Sequence, residues 1–114
     1  MKADLFYLEH ILDCIHKIER FCKDGEARFF ESDLIQDAVL RNLQVLGEST
    51  KRLSEGLRAE HPTIDWRGVA GFRNILVHDY FGVNLDRVWQ IITLDLPILK
   101  THVEEIRKKL APPQ

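Results

Sequence analysis

The chain has 114 residues, 45% of them hydrophobic, and a formal net charge of −2, values that exclude a disordered or fibrous protein and fit a globular one. At this length one core buries about two thirds of the unfolded surface, so we expect one domain over residues 1–114. No apolar run approaches the roughly 20 residues of a membrane span, and the N-terminus is too acidic for a signal peptide. We therefore expect a cytoplasmic protein without a membrane partner.

The two cysteines, Cys14 and Cys22, lie on one predicted helix. At about 1.5 Å of rise per residue they are about 12 Å apart, too far for a disulfide, so both are expected to be free thiols. His10 and Cys14 have the i,i+4 spacing of two metal ligands, but no second pair completes a site. We expect neither a metal nor a cofactor.

Charge is unevenly distributed along the chain. Residues 1–40 carry nine acidic and five basic side chains, whereas residues 41–73 carry four acidic and six basic ones. A binding site for a polyanion is therefore expected in the middle third. The alternative is that these charges are ordinary solvated helix faces.

Apolar residues recur at steps of three and four, which predicts helices over residues 3–23 and 34–58. Between them Gly25 can end the first helix, and Ser32 or Asp33 can cap the second. Gly47, in mid-helix, costs about 1 kcal/mol relative to alanine, which predicts close approach of another backbone. The predicted inward side chains of this helix are Leu34, Ala38, Val39, Leu43, Leu46, Leu53 and Leu57.

A third helix is predicted over residues 65–81, capped by Thr63 or Asp65 and ended by Gly82. A fourth is predicted from Asn84 to about residue 110, bent by Pro97 because a proline ring clashes with the carbonyl four residues back. The sequence shows no alternation of apolar and polar residues of the kind that indicates a β-strand. It therefore predicts an all-α, up-and-down bundle of four main helices.

The stretch RNILVHDY, residues 73–80, concentrates titratable side chains on the third helix. At about 100° per residue, Arg73 and Tyr80 lie along one side, whereas Arg73 and His78 are about 140° apart. Arg73 must therefore swing over to reach His78, or the two meet across a symmetric dimer. The opposite, core-facing stripe is predicted to hold Val69, Phe72, Ile75 and Leu76.

These residue types suit transesterification of RNA without a metal. His78 can take or give a proton near neutral pH, Arg73 can hold a phosphate with two hydrogen bonds, and Asn74 can orient either partner. DNA lacks the attacking 2′-hydroxyl. The spacing alone favours structural roles, in which the helix dipole favours His78, Tyr80 buries its ring and Arg73 forms a surface ion pair.

The motif R-x4-H-x-Y of residues 73–80 resembles the signature of the HEPN superfamily, in particular its HepT-like branch. The segments DAVLRNLQVLGEST (37–50) and HPTIDWRGVAGFRNILVHDYFGVNLDRVW (61–89) are similar to the second and third helical regions of that branch. The resemblance covers nearly the whole chain, and it implies a HEPN-type bundle that dimerises.

The resemblance also implies a function and a set of site residues. HepT-like proteins are toxins of type VII-like toxin–antitoxin pairs and metal-independent ribonucleases. The sequence does not distinguish transfer RNA from messenger RNA as the target. Arg73 and His78 match the catalytic pair and Asn74 a supporting position. Tyr80 matches the tyrosine that the partner, an MntA-type minimal nucleotidyltransferase antitoxin, silences by AMPylation.

Two points stay open in the sequence. Some HEPN domains are non-catalytic nucleotide-binding or interaction modules beside a nucleotidyltransferase, which is the alternative function. Glu48 can orient Arg73 or an RNA group, or it can pair with Arg52 at the favourable i,i+4 spacing, and we favour the pair with Arg52.

Overall fold

The structure is a computed structural model that describes residues 2–74 and 84–111, and every regular element in those ranges is helical. The elements are α1 (Lys2–Phe21), α2 (Glu26–Glu31), α3 (Asp33–Lys51), α4 (Glu55–Glu60), α5 (Trp66–Ala70), a 3-10 turn (Gly71–Arg73), α6 (Leu85–Gln90), a π-helical turn (Ile91–Asp95) and α7 (Leu96–Leu110). α1 packs on α3 and α7, and α3 packs on α5 and the 3-10 turn. The predicted all-α bundle is confirmed, and no described helix has the length and apolarity of a membrane span.

The core is built from the aliphatic faces of the long helices. Its completely inaccessible side chains are Leu8, Ile11, Ile15 and Ile18 of α1, Phe29 of α2, Val39, Leu43 and Leu46 of α3, Val88 of α6 and Val103 of α7. Each such side chain contributes roughly 1.5–3 kcal/mol through its burial. The apolar period of the sequence therefore located this core correctly.

The predicted second helix, over residues 34–58, is wrong in its extent, because α3 ends at Lys51 and α4 is separate. Ser54 caps α4, its Oγ accepting the Leu57 N–H at 3.2 Å. The same serine donates its N–H and O–H to the buried carboxylate of Asp4, at 2.8 and 2.7 Å. Hydrogen bonds to a charged group contribute about 1.5–3 kcal/mol each. The two bonds between Ser54 and Asp4 therefore stabilise a break at Ser54 more than a continued helix would.

The joint between α1 and α3 also differs from its prediction. Gly25, at φ 93°, precedes and starts the short helix α2 rather than ending α1. Ser32 caps α3, its Oγ accepting the Ile35 N–H at 3.1 Å, which decides between Ser32 and Asp33. Leu34, predicted to point inward, is 80% exposed because it lies on the outer side of the first turn of α3.

Side-chain caps begin the later helices. Asp65 caps α5 by accepting the Gly68 N–H at 3.0 Å, and Asn84 caps α6 as predicted, accepting the Arg87 N–H at 3.1 Å. Before Pro97 the backbone widens into the π-helical turn, with the Leu96 N–H donating to the Ile91 carbonyl. This wider turn accommodates a residue that has no N–H and a bulky ring. The predicted third helix is described only as far as residue 74, and its end at Gly82 lies outside the described residues.

Both cysteines are free thiols, as predicted. Cys14 is buried and Cys22 is half-buried, and burial raises the pKa of both thiols above the ordinary value. Since the thiolate is the reactive form, less of it is present near neutral pH than at an exposed cysteine. Neither thiol is therefore suited to act as a nucleophile.

Candidate active site

Arg73 ends the 3-10 turn that continues α5, and the packing of that segment fixes its position. Val69 and Phe72 are buried against the core, as the predicted core-facing stripe requires. Arg73 is half-buried, and Asn74 is exposed. His78 and Tyr80, with Ile75 and Leu76 of the same stripe, lie outside the described residues.

Gly47 of α3 touches the backbone of this segment. A Cβ atom added at Gly47 would lie 2.8 Å from the Ala70 carbonyl oxygen, 3.0 Å from the Arg73 nitrogen and 3.2 Å from the Arg73 Cβ. The predicted close approach of another backbone is therefore confirmed, and the backbone is that of the residues leading into the motif. Because Gly47 has no side chain, the backbone of Arg73 can pack directly against α3.

The side of Arg73 that faces α3 opens into a hollow of about 490 Å³, which we call the motif hollow. It is lined by Glu48, Lys51, Arg52 and Arg73. Arg73 Nε donates a long hydrogen bond, 3.4 Å, to Oδ1 of its neighbour Asn74. The hollow therefore combines three cations with one carboxylate beside the motif.

The favoured pairing of Glu48 with Arg52 is wrong. In the part of the chain that the structure describes, Glu48 has no basic nitrogen within 4.0 Å, neither that of Arg52 nor that of Arg73. Both Glu48 and Arg52 are exposed, where an ion pair gains little over separate hydration. Glu48 lies beside Arg73 in the hollow without binding it.

The three cations of the motif hollow form no ion pair with a carboxylate within the described ranges, and they outnumber the one carboxylate that lines it. The ion pairs there join Arg87 to Asp95 at 3.4 Å and Lys100 to Glu19 at 3.0 Å, and neither pair lines the hollow. Unpaired guanidinium and ammonium groups beside each other favour binding of an anion such as a phosphate. Among residues 2–74 and 84–111, no three His, Cys, Asp or Glu side chains come together as a metal site would require.

Another hollow, of about 310 Å³, lies between α5 and α7 on the side of Val69 and Phe72. Its arginine, Arg87, is already bound to Asp95. Asp65 adds a second carboxylate to the wall, so this hollow offers no comparable attraction for a phosphate. The motif hollow is the better candidate for chemistry on a phosphodiester.

Sequence reasoning placed a polyanion site in residues 41–73 but did not select Lys51 and Arg52 for it. Both follow Glu48 on α3 at helical spacings of three and four, which put them on the side of the helix that holds Glu48. Their spacing from Glu48 is the feature of the sequence that indicates this shared position.

Comparisons with known proteins agree on one family. A family model described as ribonuclease HepT-like matches residues 11–106. A "Putative RNase" of Caldanaerobacter subterraneus is 37% identical over 110 residues, covering 96% of this chain and 98% of the relative. A "Probable ribonuclease HepT" of Thermococcus cleftensis is 38% identical over 103 residues, covering 90% and 94%. No solved structure matched significantly.

One further relative is longer than this chain. A "Gamma-glutamylcyclotransferase and putative RNase" of Methanocaldococcus jannaschii is 39% identical over 112 residues, which are 96% of this chain. The chain spans about half of that relative's length, 50%.

Proposed function

Because the chain belongs to the ribonuclease HepT-like family, we propose that it is a metal-independent endoribonuclease whose catalytic pair is Arg73 and His78. The observation that carries the proposal is the motif hollow, where Arg73 lies with Lys51 and Arg52 and without a carboxylate partner in the described residues. A dianionic phosphorane needs such fixed positive charge.

The proposed reaction is an attack by a ribose 2′-hydroxyl on the adjacent phosphorus. The 2′-oxygen forms a bond to phosphorus as the bond to the 5′-oxygen breaks, which leaves a 2′,3′-cyclic phosphate and a 5′-hydroxyl. His78 removes the proton of the 2′-hydroxyl or supplies the proton of the leaving 5′-oxygen, and water accepts or supplies the other proton. Arg73 holds the two non-bridging oxygens with parallel N–H groups, and Asn74 restricts the guanidinium through their hydrogen bond.

The wild-type protein is expected to cleave RNA in the presence of EDTA. An all-deoxy strand of the same sequence should stay intact, because it has no 2′-hydroxyl to attack, and the RNA products should end in cyclic phosphate. Gel electrophoresis with end-group analysis measures both. If folded protein free of AMP cleaves neither transfer RNA nor messenger RNA, the alternative of a non-catalytic interaction module replaces this proposal.

The finer proposal is that the chain is the toxin of a type VII-like toxin–antitoxin pair, and that a minimal nucleotidyltransferase antitoxin transfers AMP to Tyr80. The tyrosine oxygen would attack the α-phosphorus of ATP and release pyrophosphate. The added phosphate is anionic and would compete with the RNA phosphate for Arg73.

Incubation with the antitoxin and ATP is expected to add AMP to Tyr80 and stop RNA cleavage. Tyr80→Phe keeps the ring but lacks the hydroxyl, so it should keep cleaving RNA under the same treatment. Intact-mass spectrometry and the cleavage assay follow the two effects. Cleavage lost equally in Tyr80→Phe would show that the antitoxin acts without this modification.

We also propose a homodimer of one-domain chains, residues 1–114, in which two motifs meet. The support is the small surface at Ala70 and Gly71, which would let a second chain come close. A Cβ added at Gly71 meets no atom of the described residues within 4 Å, so none of them occupies that space.

A further inference from the structure

A second basic hollow adjoins the motif hollow along α3. It measures about 440 Å³ and lies where α3, α4 and α5 meet. Its lining residues are Lys51, Glu55, Arg58, Trp66, Arg67 and Ala70. Lys51 belongs to both hollows, and Ala70 lies one helical turn before Arg73, so the two hollows are neighbours on one surface.

The two hollows together concentrate positive charge on a chain that is acidic overall. Five basic side chains and two carboxylates line them, a surplus of three positive charges against −2 for the whole chain. In the described part of the chain, none of the five has a carboxylate oxygen within 4.0 Å. Surplus charge in adjoining hollows attracts an extended polyanion rather than a single ion.

The frame of the second hollow is rigidly held. The Trp66 indole N–H lies 3.2 Å from the Arg58 carbonyl oxygen and 3.0 Å from that of His61, which ties the end of α4 to α5. Arg58 Nε is buried with no hydrogen-bond partner in the described residues, so packing holds this guanidinium. Arg67 extends from α5 into the solvent beside it. A cation held in place, as Arg58 is, loses little conformational freedom when it binds a ligand.

We propose that the second hollow is a substrate subsite, which binds the backbone phosphate of the nucleotide next to the one cleaved at Arg73. A single RNA strand then runs over Lys51, with Arg58 and Arg67 at one end and Arg73 at the other. The assignment of the cleaved phosphate to Arg73 rests on the proposed function. The subsite reads the backbone and carries no base preference of its own.

The charge reversal Arg67→Glu tests the subsite, and Arg28→Glu is its matched control. Both arginines are exposed residues of short helices, and both reversals change the net charge by the same amount, but Arg28 lies outside both hollows. Neither arginine has a carboxylate partner within 4.0 Å in the described ranges, so neither change breaks an ion pair there. A further variant, Arg67→Gln, removes the positive charge without reversing it.

Binding is measured by fluorescence anisotropy with a labelled 2′-O-methyl RNA strand of about ten nucleotides, which cannot be cleaved. Arg67→Glu is expected to weaken affinity on the order of tenfold at about 0.1 M salt, with Arg67→Gln between it and wild type. The slope of log affinity against log salt should fall by about 0.7 for each phosphate that the variant no longer binds. Arg28→Glu should change affinity less than about twofold, as distant surface charges are screened.

Equal losses in Arg67→Glu and Arg28→Glu would overturn the subsite, because they would reflect net charge alone. Unchanged binding in Arg67→Glu would also overturn it and leave an acidic protein surface as the better partner for this hollow.

Cleavage separates this inference from the proposed function. A ribodinucleotide has one phosphate, which occupies the motif hollow, so Arg67→Glu should lower its cleavage much less than it lowers cleavage of the longer strand. The longer RNA strand should lose about tenfold in kcat/KM. Equal cleavage of the longer strand by Arg67→Glu and wild type would overturn the subsite. A wild type that cleaves neither strand, yet keeps the difference in binding, would remove the ribonuclease proposal and support the RNA-binding surface.

Discussion

Alanine in place of Arg73 or His78 is expected to lower RNA cleavage by about 10²–10⁴-fold. Loss of the proton carrier and loss of a charge aimed at the phosphorane each raise the barrier by several kcal/mol. Because both groups act on one transition state, the double variant should be little slower than the slower single variant. Single-turnover cleavage in EDTA, with thermal unfolding as a check of folding, measures all three variants.

Arg52→Ala is the control for Arg73→Ala. Arg52 lines the same hollow, but it lies on α3 rather than in the motif, so its loss should cost no more than about tenfold through a weaker local potential. Arg73→Lys keeps the charge but cannot form two parallel hydrogen bonds to a phosphate, so its cleavage rate should lie between those of wild type and Arg73→Ala. If Arg73→Ala and Arg52→Ala were equally active, Arg73 would be one of several surface cations and the catalytic pair would be wrong.

A mixture of the two inactive variants decides how Arg73 reaches His78. If each site joins Arg73 of one chain to His78 of the other, a mixed dimer of Arg73→Ala and His78→Ala holds one intact site and cleavage returns. If both residues act from the same chain, each site in the mixed dimer lacks one of them and cleavage stays absent. The angle of about 140° between the two positions on a helix allows both arrangements.

The apolar period predicted the bundle because a helix buries one face, and the spacing of apolar residues along the chain identifies that face. Helix ends were less predictable where a distant residue decides them. Ser54 starts α4 while bound to Asp4, which is 50 positions away in the sequence. Leu34 fits the same period as its buried neighbours, yet its place in the first turn of α3 leaves it in solvent.

The candidate site was predictable where steric rules apply and less so where solvent competes. A glycine inside a long helix is costly enough to imply a reason, and Gly47 has one in the backbone of Ala70 and Arg73. Glu48 and Arg52 have the spacing of an ion pair, but both are exposed to solvent and do not pair with each other. The energy of such a surface pair is too small for spacing to decide the outcome.

Gly47→Ala is expected to lower both stability and RNA cleavage, although alanine is the better helix former. The new methyl group would lie 2.8 Å from the Ala70 carbonyl oxygen and 3.0 Å from the Arg73 nitrogen, so the 3-10 turn must move. Overpacking of this kind costs about 1–3 kcal/mol of stability. This is more than the roughly 1 kcal/mol by which alanine is favoured over glycine within a helix. A shift of about 1 Å in Arg73 would reduce cleavage by up to about 100-fold.

Gly56→Ala separates this steric effect from helix propensity. Gly56 is exposed on α4, and a Cβ added there meets no atom within 4 Å, so alanine should stabilise the protein by about 0.5–1 kcal/mol and leave cleavage unchanged. Chemical denaturation and single-turnover cleavage compare the two variants. If Gly47→Ala behaved like Gly56→Ala in both measurements, the contact between α3 and the 3-10 turn would be loose enough to yield, and Arg73 would not depend on Gly47 for its position.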